Sequence, residues 1–160
     1  MIIAAKLLLC LVLVLIFIQD LRERQVYTIF MISAGALMSF MHYSATTPYS
    51  FYSSILLNLF VIMLVILCLH LYAKHKLNKS LNQTIGTGDF LFFVVLALGF
   101  SSAAFLLFFT FSLIFSLLAS VFMQYRHKDK TVPLAGLQSL FVALSLIFIW
   151  FFDLNYLYFV

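Results

Sequence analysis

Long apolar runs separated by short polar segments dominate this chain, and their lengths predict membrane helices rather than strands. A helix that crosses a bilayer needs about 20 predominantly apolar residues. The first such run covers 2–19 and a shorter one 26–41. A third, 51–72, follows the polar stretch Ser44-Ala45-Thr46-Thr47-Pro48. The longest polar segment, 74–88, reads as a true loop. Beyond it the apolar run 90–122 would measure about 50 Å as one helix, well past a hydrocarbon core of about 30 Å. Its one polar interruption with a glycine is Gly99-Phe100-Ser101-Ser102, which predicts a break into helices over 89–100 and 103–123. A charged loop, Arg126 to Lys130, precedes the last span, 133–152, where Pro133 suits a first helical turn. The expected architecture is one all-α polytopic membrane domain of about six helices over 1–160, without a repeat.

Composition narrows the solvent. Hydrophobic residues make up 66% of the chain and charged residues 9%, against roughly 45–50% and 25% in soluble domains. A soluble core of this size could not hide that much apolar surface, so the lipid bilayer is the first partner the sequence implies. The first run has an early lysine, Lys6, but no small-x-small cleavage site follows it, and it reads as a retained helix. Cys10 and Cys68 both lie inside apolar runs without a C-x-x-C arrangement, which argues against disulfide and zinc roles. His42, His70, His75 and His127 are scattered without metal-ligand spacing, so neither a metal nor a cofactor is expected.

Charge sets orientation. With six spans, Arg22, Arg24, Lys74, Lys76, Lys79, Arg126, Lys128 and Lys130 fall in loops on one side, and Lys6 stands alone on the other. The asymmetry predicts that the three basic loops are cytoplasmic and both termini outside. The net charge of +4 is thereby a matter of topology and implies no nucleic acid. Trp150, Tyr156 and Tyr158 would form an aromatic belt on the outer side.

Chemistry enters through two of the five acidic residues. Asp20 closes the first apolar run, and Asp89 ends the tetrad Gly86-Thr87-Gly88-Asp89 where the fourth span begins. Ionisable residues at membrane depth are costly, and they suggest a functional site. The predicted topology puts both on the cytoplasmic edge. Two carboxylates held close together do not readily both ionise, so one keeps a proton and the other acts as a base. Such a pair can activate a water for amide hydrolysis. Gly86 and Gly88 would allow backbone conformations and close approaches beside the acid that a side chain would block. The bland alternatives are a solvated helix end for Asp20, near Arg22, Glu23 and Arg24, and a helix cap for Asp89. Glu23, Asp129 and Asp153 read as solvated partners or interfacial anchors.

Asp20-Leu21-Arg22 at the end of the first span, followed by Gly-x-Gly-Asp at 86–89, resembles the type IV prepilin peptidase family of GxGD-type membrane aspartyl proteases. Ala97-Leu98-Gly99 and Val132-Pro133-Leu134-Ala135-Gly136 also echo that family's pattern. The resemblance implies an endopeptidase of the plasma (inner) membrane with Asp20 and Asp89 as the catalytic pair. Gly86, Thr87 and Gly88 would form an active-site loop, and Pro133 would support the site. The implied partner is the leader peptide of a prepilin-like or pseudopilin substrate, cleaved at the cytoplasmic face. Val26-Tyr27 stands where the family usually has Ile-Pro, and Leu91 where it often has Lys. The direct start on the first span is similar to the short, peptidase-only form. Two rivals remain: an intramembrane protease of the signal-peptide-peptidase kind, and a small transporter that uses the two aspartates for protons or cations.

Overall fold

The computed structural model describes residues 2–72, 74, 86–126 and 133–152. Six helices follow one another: α1 (Ile2–Glu23), α2 (Thr28–Ala45), α3 (Pro48–Tyr72), α4 (Thr87–Gly99), α5 (Ser102–Arg126) and α6 (Leu134–Phe151). The architecture is all-helical and that of a polytopic membrane protein. Four of the helices, α1, α3, α5 and α6, are long and apolar enough to cross a membrane by themselves. The expected loop 74–88 and the loop from Arg126 to Lys130 lie almost wholly outside the described residues, as do Asp129, Asp153, His75, His127, Tyr156 and Tyr158.

Helix ends differ from the expected ones by a few residues, for local reasons. α1 continues through Asp20 to Glu23, so Asp20 lies inside the helix rather than beyond it. The helix stops where Arg24 adopts φ 55°, a left-handed conformation that closes a helix C-terminus. The Arg24 amide donates to the Asp20 carbonyl at 3.1 Å. Gln19 then sets the entry to α2, because its Oε1 accepts from the Tyr27 amide at 3.1 Å. α3 starts at Pro48, three residues earlier than expected. Thr47 Oγ1 accepts from the Ser50 amide at 3.4 Å, and proline fits the first helical position.

Packing contacts fix the directions. Lys6 Nζ lies 5.1 Å from the centre of the Trp150 ring, a cation–π contact. Asp20 reaches Gly136 at the other end of the same helix pair. Each contact is fourteen positions from the other along both helices, so α1 and α6 run antiparallel in register. The chain also reverses between α4 and α5. The Phe93 and Phe109 ring centroids are 5.1 Å apart, whereas sixteen residues of continuous helix would separate them by about 24 Å. The expected break near Gly99 is therefore real, with Phe100 extended at φ −137°, ψ 153°.

This break is buried, so its backbone needs internal partners, because unpaired carbonyls at membrane depth are costly. Asn58 of α3 supplies two: its Nδ2 donates to the Ala97 carbonyl at 3.0 Å and to the Phe100 carbonyl at 2.9 Å. His42 of α2 places Nδ1 3.1 Å from the Leu98 carbonyl. Gly99 permits the close approach of α2, since a Cβ there would come within 2.7 Å of Met38 Sδ. Asn58→Leu removes both bonds at the break. The expected loss is on the order of 1–3 kcal/mol, read as a lower Tm in detergent. An unchanged Tm would show that these carbonyls find other partners.

Candidate active site

Helix α6 begins immediately after Pro133, which occupies the N-cap position rather than the first turn and offers no side-chain cap. The first amides of any helix lack intrahelical partners and carry the positive end of its dipole. Here two of them are met by carboxylates from other helices. Asp89 Oδ1 accepts from the Ala135 amide at 2.8 Å. Asp20 Oδ2 accepts from the Gly136 amide at 2.6 Å. Residues 69 positions apart in the chain are thus brought to consecutive amides, and the Asp20 carboxylate acts electrostatically on Asp89.

Neighbouring groups hold each acid in place. Asp20 is buried and has the Arg24 guanidinium within electrostatic reach. Its close fit to α6 depends on Gly136, because a Cβ at that position would meet Asp20 Cβ at 2.8 Å and Oδ2 at 2.9 Å. Asp89 is the third residue of α4 and turns back on the Gly86 amide, the reach-back of an acid in a helix's first turn. Glu23 accepts from Gln19 Nε2 at 3.4 Å.

The tetrad differs from the expected active-site loop. Thr87 and Gly88 are already helical, and Gly86 alone precedes α4. Among the described residues no glycine has a positive φ, and nothing lies within 4 Å of a Cβ built at Gly88. The freedom expected of Gly88 is not used here, because the helix starts before it. Gly86 is the tighter position, with a Cβ falling 3.2 Å from Asp89 Oδ2.

Four polar residues matter more than their isolated positions suggested. Asn58 and His42 hold the far end of α4, and Gln19 fixes the turn after Asp20. Gln138, one turn into α6, is completely buried, and neither the nitrogen nor the oxygen of its side-chain amide has a hydrogen-bond partner among the described residues. The available signal in each case was a lone polar residue within or at the edge of an apolar run. No family model, curated protein or solved structure matches the chain.

Proposed function

We propose that this chain is a membrane-embedded aspartyl endopeptidase, similar in design to the prepilin peptidases. It would remove the leader peptide of a prepilin-like or pseudopilin substrate at the cytoplasmic face of the plasma membrane. One observation carries this reading: Asp20 and Asp89 meet on the consecutive amides of Ala135 and Gly136. Two acids held side by side in this way would share one proton between them. The ionised acid takes a proton from water as the water oxygen bonds to the scissile carbonyl carbon. The protonated acid hydrogen-bonds the carbonyl oxygen. Collapse of the tetrahedral intermediate breaks the C–N bond, the leaving nitrogen takes up a proton, and a carboxylic acid and an amine depart.

The direct test uses the full chain in liposomes with synthetic peptides that join a basic leader to an apolar helix. The expected outcome is two fragments whose masses sum to the peptide plus one water. Intact peptides, together with proton or cation flux through the same vesicles, would replace this reading with transport.

The same bonds favour one other reading, in which the two acids merely cap α6. Asparagine keeps an acceptor oxygen, so a capping role survives the exchange whereas general-base catalysis does not.

The orientation belongs to the proposal and has its own test. A cysteine at exposed Thr47, on the turn between α2 and α3, is expected to react with an impermeant thiol reagent in intact cells. Cysteines at Ser80 and Lys128 are expected to be shielded. Labelling of Ser80 from outside reverses the topology and removes the cytoplasmic site.

A further inference from the structure

We infer that Gln138 is a substrate-binding residue that hydrogen-bonds the main chain of an extended peptide lying beside the two aspartates. The inference rests on the endopeptidase reading and extends it to how the substrate is held. Gln138 belongs to a stripe of α6, Ala135, Gln138, Val142 and Leu146, that is at most 1% exposed and faces the interior of the bundle. Within this stripe it is three residues from Ala135, whose amide holds Asp89. Three residues rise about 4.5 Å along a helix, and side chains lean toward the helix N-terminus. The Gln138 amide therefore reaches back toward the level of the acids.

An amide buried in the bundle without a partner among the described residues is a cost that the fold leaves unrelieved. Its two ends, one donor and one acceptor, complement a peptide group, which also presents one N–H and one C=O. An extended substrate needs such partners, because its own backbone bonds are open and no bulk water fills the core. Successive residues of a strand advance about 3.3 Å. A peptide whose scissile carbonyl faces the acids therefore presents a neighbouring peptide group at the depth of Gln138. The way in is the seam between α4 and α6. α6 packs chiefly on α1 and α5, α4 packs chiefly on α2, and the two helices touch each other lightly. Exchange of the Asp89–Ala135 bond for contacts to a peptide opens this seam above Gln138.

The test substitutes Gln138→Leu, close in size and without hydrogen-bonding groups, and uses the synthetic leader peptides in liposomes. KM is expected to rise roughly tenfold with kcat little changed, the pattern of a lost ground-state contact. The same peptides are then made with a backbone ester replacing the amide at each of the two peptide groups on either side of the scissile bond. At one of these positions the ester lowers kcat/KM roughly tenfold for the parent protein and leaves the variant unaffected. Equal ester penalties in both proteins at every position overturn the inference. Thermal unfolding in detergent gives an arm that does not depend on measuring cleavage. Gln138→Leu is expected to raise Tm, since it removes an unpaired buried amide, and to reduce the upward Tm shift given by the same peptide concentration, as a roughly tenfold weaker complex requires. A lower Tm for the variant alone makes Gln138 part of the fold's own bonding and overturns the inference. If the parent binds but cleaves no peptide, the protease chemistry fails while the binding role stands.

Discussion

Asp20→Asn and Asp89→Asn are each expected to abolish leader cleavage while the protein still inserts and accumulates. A shared-proton mechanism needs both acids, one as base and one as proton donor, so neither single variant retains a partial mechanism. The expected loss is roughly 10⁴-fold or more in kcat, as for other catalytic units whose members act together. Asparagine preserves an oxygen for the amides of Ala135 and Gly136, so the α6 start remains capped and the comparison isolates chemistry from folding. Glu23→Gln and Asp153→Asn are the controls, expected to cleave at nearly the parent rate, and chelators are expected to have no effect. Near-normal cleavage by either asparagine variant leaves capping as the role of the pair, and a chelator that stops the reaction ends the aspartyl mechanism.

Gly136→Ala is expected to have the next largest effect. The added methyl would stand 2.8 Å from Asp20 Cβ. That atom sits next to the helix backbone and cannot swing aside as a long side-chain tip would. Either α1 and α6 move apart or Asp20 turns away from the Gly136 amide. Displacement of a reacting group by about 1 Å can cost roughly 100-fold, so cleavage is expected to fall by about that factor with peptide binding much less affected. Ala135→Gly, which keeps the amide and removes a methyl, is the contrasting variant. Full activity in Gly136→Ala would mean that the tight Asp20–α6 contact has no part in the reaction.

Much of this arrangement was legible because a membrane allows few solutions. Backbone groups must be paired internally, so apolar runs become helices, and the glycine and serines at 99–102 announced the reversal that the Phe93–Phe109 contact demonstrates. Helix ends were less legible. Gln19 on the Tyr27 amide and Thr47 on the Ser50 amide set the starts of α2 and α3, and these bonds leave no trace in hydrophobicity. The two acids could be placed on one edge from the topology, yet their meeting point could not be seen. It depends on the register of α1 against α6, fixed by packing along both helices. Pro133-Leu134-Ala135-Gly136 stood out as a motif, but nothing in its spelling says that its amides receive the carboxylates. The bonds of Asn58 and His42 are hidden in the sequence for a related reason: their partners are carbonyls, which every residue carries.

The grip of Asn58 and His42 on the break also has a mechanical consequence. α4 is a short rigid rod, held at its C-terminal end by those two side chains and bearing Asp89 near the other. A tilt of about 10° about the held end carries a point ten residues away by roughly 3 Å, given about 1.5 Å of rod per residue. That travel matches the whole 2.8 Å of the Asp89–Ala135 bond. The helix acts as a pointer on a pivot, and a change in fit at Met38, His42 or Asn58 is magnified into misalignment of an acid at the opposite end of the rod.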